Sequence, residues 1–179
     1  VGASITEGAV TTNPVTDSYP AQLGRLLGKG YKVMNFGVGG STMLKKGDYP
    51  YWEREAYPKA LASNPDIVFI DLGGNDSKAI NRKFMDEFVK DACEMIASFQ
   101  QLPSQPRVII LTPVVSFYAH SDGIWDEVIQ KQVSPATIEA ASRMKIEVLD
   151  MHSVLNRRPD LLSDGVHPNT EGSGMMAKK

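Results

Sequence analysis

Four short apolar stretches separated by polar segments predict β-strands along the chain. They span Tyr31–Phe36, Asp66–Leu72, Arg107–Thr112 and Lys145–Leu149. Two of them contain unbroken apolar runs, at residues 67–70 and 108–111, instead of an alternation of apolar and polar positions. An unbroken run is typical of a strand that is covered on both faces, as in a parallel sheet. The pattern therefore predicts a parallel sheet buried between two layers.

Helical periodicity occupies the segments between these stretches. The predicted helices cover Ser18–Leu27, Phe84–Phe99 and Gly123–Gln130, and a further helix begins near Pro135. In the longest of them, apolar side chains recur every three or four residues, which places them on one face. Because helix follows strand repeatedly, the order predicts a three-layer α/β domain with a central parallel sheet.

Both ends of the chain differ from those of a complete domain of this kind. Only Val1 precedes the turn formed by residues 2–4, and residues 169–179 are too few for a full closing helix. We therefore expect a single domain over residues 1–179 that is trimmed at both ends.

Composition excludes several classes of protein. The 179 residues include 19 Lys and Arg and 21 Asp and Glu, a net charge of −2, so no basic excess favours nucleic acid as a partner. One cysteine, Cys93, excludes a disulfide framework and a thiolate zinc cluster. No apolar run approaches the roughly 20 residues that span a bilayer, so we expect no membrane insertion.

Four polar stretches stand where strands are expected to end. They cover residues 2–6, 35–42, 73–77 and 164–169. In open α/β sheets, the ligand crevice lies outside the carboxyl ends of the strands. We therefore expect these four segments to meet at one edge of the sheet, although they are distant in sequence.

Each of these segments carries a residue of possible catalytic value. Ser4 could act as a nucleophile, or it could be an ordinary turn or helix-cap residue. Asp164 and His167 are close enough for the carboxylate to fix the imidazole tautomer, although such a pair is also common in ordinary loops. Gly40 and Asn75 could donate hydrogen bonds to an oxyanion, through a backbone N–H and a side-chain amide, or could serve as turn residues.

Taken together, the four segments resemble the blocks of the SGNH hydrolases, also called GDSL-type esterases. The Ser, Gly, Asn and His that give the family its name correspond to Ser4, Gly40, Asn75 and His167. The resemblance implies a flavodoxin-like α/β/α fold, with Ser4 as nucleophile, His167 as general base and Asp164 as its partner. The N–H groups of Ser4 and Gly40 and the amide of Asn75 would form the oxyanion hole. The resemblance implies neither a cofactor nor a metal.

The first block departs from the family pattern at Ala3, where the family usually has an aspartate. That aspartate is not a member of the family's triad, and it supports the block through hydrogen bonds. Its absence keeps open the alternative of a weakened relative that binds carbohydrate without catalysis.

A finer resemblance connects residues 35–42, 45–52 and 74–78 with bacterial carbohydrate esterases described as sialate O-acetylesterases or acetylxylan esterases. It implies an esterase that removes acetyl groups from glycans and, since such relatives are often exported, a periplasmic or extracellular location. The alternative within the family is a lipase or thioesterase for longer acyl chains. We predict substrate binding by Tyr51, Trp52 and Asp48, since aromatic faces stack on sugar rings. Alternatively, Tyr51 and Trp52 pack the following helix onto the sheet.

Other enzyme classes lack their required residues. Residues 37–42 contain no lysine for a Walker loop and no third glycine for a dinucleotide fingerprint. Thr6 stands where the G-x-S-x-G elbow of α/β-hydrolases needs glycine. The three histidines, His120, His152 and His167, show no metal-ligand spacing, so we expect no metal site. Asp150, a predicted helix cap, is the reserve candidate for the triad acid.

Overall fold

The computed structural model describes residues 1–179. The strands are β1 (Ile67–Ile70), β2 (Arg107–Leu111) and β3 (Glu147–Leu149). The α-helices are α1 (Ser4–Glu7), α2 (Pro14–Asp17), α3 (Tyr19–Leu27), α4 (Ala56–Ala62), α5 (Ala79–Arg82), α6 (Phe88–Gln100), α7 (Asp126–Val128), α8 (Ser134–Met144), α9 (His152–Leu155) and α10 (Thr170–Lys178). None of these helices is long and apolar enough to cross a bilayer.

The sheet is parallel, in the order β1–β2–β3. Ile67 pairs with Arg107 in β2, and Ile109 of β2 pairs with Glu147 in β3. Gly2 continues the sheet beyond β1, through parallel bridges to Gly37 and to Asp71. The segment that precedes α1 therefore ends at the same edge as the strands.

Side chains of β2 alternate between two hydrophobic cores on opposite faces of the sheet. Val108 and Ile110 pack with buried residues of α4, α6 and α8. Ile109 and Leu111 pack with buried residues of α3, α9 and α10 on the other face. This double burial explains the unbroken apolar run, and it confirms the three-layer α/β/α architecture.

Three of the four predicted strands form, each somewhat shorter than its apolar stretch. The prediction of a strand at Tyr31–Phe36 is wrong, because residues 31–36 have no regular structure. Tyr31 is 56% exposed and Val33 is 36% exposed. A strand needs a neighbour for its backbone N–H and C=O groups, and in this structure the sheet reaches that side only through the bridge between Gly2 and Gly37.

The predicted helices form with shifted boundaries. The longest begins at Phe88, after a 3₁₀ turn over Met85–Glu87. The two helices predicted after residue 123 are one continuous helical path, because the π-helical segment Ile129–Val133 joins α7 to α8. The closing segment, expected to be too short, forms the nine-residue α10, which Asn169 caps by accepting a 3.0 Å hydrogen bond from the Gly172 N–H.

A buried carboxylate joins the loop after Gly40 to the end of β1. Asp76 has no exposed surface, and its two oxygens accept hydrogen bonds from the backbone N–H groups of Leu44 at 2.7 Å and Met43 at 3.0 Å. Burial raises the pKa of Asp76 to about 6, although these hydrogen bonds partly oppose the shift. One titrating group thus holds the backbone that directly follows residues 35–42 to the polar segment 73–77.

We expect Asp76→Asn to change the pH dependence of stability. The pKa of about 6 in the folded chain lies above the ordinary 3.8, so the folded chain takes up a proton that the unfolded chain does not. The stabilising contribution is complete below pH 3.8 and is lost as the pH rises through about 6. Relative to the variant, the wild-type free energy of unfolding should increase by about 1 kcal/mol from pH 7 to pH 5. Urea unfolding at both pH values measures this, and a pH-independent difference would contradict it.

Candidate active site

Ser4 is the first residue of α1 and directly follows the segment that extends the sheet. Gly2 permits the close turn, because a Cβ there would lie 2.0 Å from Thr6 Oγ1 and 2.9 Å from the carbonyl oxygen of Asp71. Thr6 donates a 2.8 Å hydrogen bond to the Asp71 carboxylate, which fixes α1 against the end of β1. The turn places Ser4 at the carboxyl edge of the sheet.

Asp71 is a residue of the site that the sequence analysis missed. Burial raises its pKa, and hydrogen bonds from Thr6 and Tyr19 partly offset that effect. In the family, the acid that is missing at Ala3 supports the first block. In this chain, the Asp71 carboxylate at the end of β1 anchors the block through Thr6. The one available sign in the sequence is an aspartate that directly follows the apolar run 67–70.

A chain of hydrogen bonds joins Ser4, His167 and Asp164. His167 Nε2 lies 2.8 Å from Ser4 Oγ, and His167 Nδ1 lies 2.6 Å from Asp164 Oδ2. A carboxylate only accepts hydrogen bonds, so the neutral imidazole carries its hydrogen on Nδ1. The Nε2 lone pair is therefore directed at the serine hydroxyl, the arrangement in which a histidine can take the proton.

The conformation of the 164–167 loop is fixed by the second oxygen of Asp164. It accepts hydrogen bonds from the backbone N–H groups of Val166 at 2.9 Å and His167 at 2.7 Å. Partial burial disfavours the ionised carboxylate and by itself would raise the pKa of Asp164. These two hydrogen bonds and the hydrogen bond from the His167 ring outweigh burial, so the pKa of Asp164 is lowered. The carboxylate is therefore ionised at neutral pH and can stabilise an imidazolium.

Three hydrogen-bond donors belong to segments that meet near Ser4. The backbone N–H groups of Ser4 and Gly40 donate to no acceptor within the protein. Gly40 has a φ of +81°, a conformation that favours glycine. Asn75 is buried, and its Nδ2 donates to the Ser41 carbonyl at 3.1 Å, which leaves its second amide hydrogen free. These are the donors that an oxyanion hole requires.

Glu7 is a second residue that the sequence analysis missed. Its Oε2 accepts a 3.0 Å hydrogen bond from the Gly39 N–H, and a Cβ on Gly39 would lie 3.8 Å from Ser4 Cβ. Glu7, the last residue of α1, thus holds the glycine loop beside Ser4, the first residue of the same helix. No pattern in the sequence indicates this contact.

A cavity of about 30 Å³ lies beside Ser4. Ser4 and Asn75 contribute polar groups to it, and its remaining wall is largely apolar. The other lining residues are Ala3, Ile5, Asp71, Gly74, Pro113, Val114, Val115, Ser116, Ile124 and Val166. Such a volume holds on the order of two water molecules.

Two of the three residues predicted to bind substrate, Tyr51 and Trp52, form contacts within the fold. Tyr51 has no exposed surface and its hydroxyl donates to the Phe36 carbonyl at 2.6 Å, so its predicted contact with substrate is wrong. Trp52 is half-buried, donates from Nε1 to the Met43 carbonyl at 2.8 Å and packs edge-on against Tyr57. The alternative interpretation, in which both rings pack the following helix, agrees with these contacts.

Asp48 belongs to a polar network beneath the site. The Asp48 carboxylate accepts a 2.9 Å hydrogen bond from Asn81 Nδ2 and lies 3.8 Å from Lys78 Nζ. Asn81 Nδ2 also donates to the Asn75 carbonyl at 2.8 Å. This network supports the segment that carries Asn75. A contact between Asp48 and substrate stays a prediction.

The remaining candidate residues do not contact Ser4. His152 Nε2 pairs with Asp126 Oδ1 at 2.9 Å. Asp150, the reserve triad acid, accepts a 3.2 Å hydrogen bond from the Ser153 N–H at the start of α9. No group of three or more His, Cys, Asp or Glu side chains is arranged to hold a metal ion.

Comparison with curated proteins finds similarity to esterases. An acetylxylan esterase of Xylanibacter ruminicola is 37% identical over an alignment of 196 positions, which covers 99% of this chain and 41% of that protein. This chain therefore spans less than half the length of that relative. The GDSL esterase/lipase CPRD49 of Arabidopsis thaliana is 27% identical, over 69% of this chain and 56% of that protein.

Solved structures share the fold at low sequence identity. Est24, a carbohydrate acetylesterase from Sinorhizobium meliloti, superposes with a TM-score of 0.80 at 19% identity, covering 98% of this chain and 92% of that one. A two-domain esterase active on acetylated mannans superposes with a TM-score of 0.71 at 21% identity, covering 99% of this chain and 46% of that one.

The model of the family described as GDSL-like lipase/acylhydrolase matches residues 1–174, almost the whole chain. This match confirms the resemblance that the four sequence blocks indicated: the chain belongs to the GDSL-like lipase/acylhydrolase family.

Proposed function

We propose that this chain is a serine esterase that removes O-acetyl groups from carbohydrate. The observation that carries the proposal is the continuous chain of hydrogen bonds from Ser4 through His167 to Asp164, beside a small cavity. The names of the similar proteins supply the substrate class: one is an acetylxylan esterase, and another acts on acetylated mannans.

In the proposed mechanism, Ser4 Oγ attacks the acetyl carbonyl carbon while His167 Nε2 takes the hydroxyl proton. The tetrahedral intermediate collapses as the C–O bond to the sugar breaks, and His167 returns the proton to the leaving sugar oxygen. Water, deprotonated by His167, then attacks the acetyl-Ser4 ester, and acetate leaves as Ser4 regains its proton. Asp164 holds the imidazole in the required tautomer throughout. The chain supplies the first nucleophile and the group that acts as base and acid, and water is the second nucleophile, so the mechanism uses neither a metal ion nor a cofactor.

The negative charge on the carbonyl oxygen develops only in the tetrahedral state. The N–H groups of Ser4 and Gly40 and the free amide hydrogen of Asn75 are the donors proposed to stabilise it. Because the protein holds these donors in place before reaction, they need no reorganisation as the charge forms.

The cavity beside Ser4 is small and its wall is largely apolar, which suits the methyl group of an acetyl ester and favours acetyl over the longer acyl chains of a lipase or thioesterase. The alternative of a non-catalytic relative rested on Ala3. The Asp71 carboxylate, which anchors α1 through Thr6, supports retention of catalysis despite that substitution.

We predict that Ser4→Ala lowers kcat for a 4-nitrophenyl acetate substrate by roughly 10⁴-fold or more, because the nucleophile is removed. His167→Ala should be nearly as damaging and Asp164→Asn somewhat less. His152→Ala is the matched control, since His152 also pairs with an aspartate but does not contact Ser4. A larger loss for His152→Ala than for His167→Ala would show that the triad is misassigned.

We predict that Asn75→Ala lowers kcat by roughly 10²–10³-fold with little change in KM, because the donor acts on charge that develops in the transition state. Asn75→Asp keeps the size of the side chain but removes the donor, and it should lose at least as much activity. A change confined to KM in both variants would exclude this role. Circular dichroism of each variant establishes that the fold is intact.

Ile124→Ala should widen the cavity and shift acyl preference. Burial of each additional methylene contributes about 0.8 kcal/mol, so admitting two of them would lower the acetyl-to-butyryl ratio of kcat/KM by roughly tenfold. The ratio is measured with 4-nitrophenyl acetate and butyrate. Ile138→Ala, at an exposed site on α8, is the control and should leave the ratio unaltered. A wild-type preference for octanoyl over acetyl esters would contradict the carbohydrate assignment.

A further inference from the structure

The loop formed by residues 117–123 is an exposed rim at the cavity. Residues 113–116 precede it and Ile124 follows it, and all of them line the cavity. Ser116 Oγ donates to the Ile124 carbonyl at 2.8 Å, which closes the base of the loop. The rim therefore begins and ends in the cavity wall.

Hydrogen bonds attach this rim to two of the catalytic segments. The Phe117 N–H donates at 2.7 Å to the carbonyl of Gly165, in the loop that carries the triad histidine. At the other end, the Trp125 N–H donates at 3.0 Å to Ser77 Oγ, two residues after Asn75. The rim thus spans the site from the histidine loop to the asparagine segment.

The rim presents two consecutive aromatic side chains to solvent. Phe117 and Tyr118 are each 39% exposed. Tyr118 is held in place, because its ring packs so closely on Gly123 that a Cβ there would lie 2.4 Å from Tyr118 Cε1. The His120 ring meets Tyr118 edge-on, with 5.5 Å between the ring centroids, and is itself exposed.

We infer that Phe117 and Tyr118 form the subsite for the sugar that carries the acetyl group, an inference that rests on the proposed function. Residues on both sides of the rim line the cavity beside Ser4, so an ester whose acetyl group lies in the cavity has its alcohol part next to the rim. Aromatic surface covers the C–H face of a sugar ring, and the Tyr118 hydroxyl and the His120 imidazole can bond its hydroxyl groups.

Another exposed aromatic residue near the catalytic segments is less suited to stacking. Tyr49 is 40% exposed and lies 3.7 Å from the position of a Cβ on Gly40. The guanidinium of Arg54 lies over its ring, 3.8 Å from the centroid. The Arg54 guanidinium therefore already occupies one face of Tyr49 and removes that face from stacking on a sugar ring.

The test compares acetylated xylotetraose with vinyl acetate, a small acetate without a ring. In Phe117→Ala and in Tyr118→Ala, kcat/KM for acetylated xylotetraose should fall about fivefold to tenfold more than kcat/KM for vinyl acetate, through KM. Tyr31→Ala, which removes another exposed tyrosine, should leave the ratio unaltered. Phe117→Leu and Tyr118→Leu keep apolar bulk without the aromatic ring, and they provide the same comparison if the alanine variants fold poorly. Equal losses on both substrates, or a larger change in the ratio from Tyr49→Ala, would overturn the inference.

A second measurement separates this inference from the proposed function. Hydrolysis of vinyl acetate without hydrolysis of any acetylated sugar would contradict the proposed carbohydrate substrate. Titration of the chain with unacetylated xylotetraose, followed by the NMR resonances of the aromatic rings, then decides the subsite independently of catalysis. Shifts that disappear in Phe117→Ala and Tyr118→Ala would support the inference, and absence of binding would overturn it.

Discussion

A carboxylate removed from water must be compensated by hydrogen bonds, and this requirement fixes the loops at the carboxyl edge of the sheet. Asp71 accepts from Thr6 and holds α1, with Ser4 at its start. Asp76 accepts from two backbone N–H groups and holds the segment that follows the glycine loop. For these two buried acids, satisfying the carboxylate determines where a neighbouring catalytic segment lies. Asp164 is exposed by comparison, and its hydrogen bonds from two backbone N–H groups order its own loop.

This mode of support explains how the site tolerates Ala3. The family aspartate at that position would strengthen the turn from within the first block. In this chain, two hydrogen bonds fix α1 instead. Thr6 donates to the buried Asp71, and Glu7 accepts from the Gly39 N–H. The distance of 2.8 Å between Ser4 Oγ and His167 Nε2 is consistent with a turn that stays in place without the family acid.

The cavity and the rim divide the proposed substrate between two environments. In the proposal, the small, largely apolar cavity receives the acyl group, and the rim at residues 117–123 offers aromatic surface to the alcohol part of the ester. The polar-aromatic segment 45–52 contributes instead to the core and to the support of Asn75, through Tyr51 and Asp48.

The sequence by itself determined the layered α/β fold and the family, and it indicated Ser4, Asp164 and His167 as the candidate triad. Unbroken apolar runs report burial on both faces, and the spacing of Asp164 and His167 makes their pairing a local event. The sequence could not establish that residues 31–36 lack a pairing partner, or that Tyr51 is buried while Phe117 is exposed. Strand pairing and aromatic exposure depend on neighbours far away in the chain, and the same residue types fit either outcome. Only the tertiary structure therefore decided which aromatic side chains border the cavity and which belong to the core.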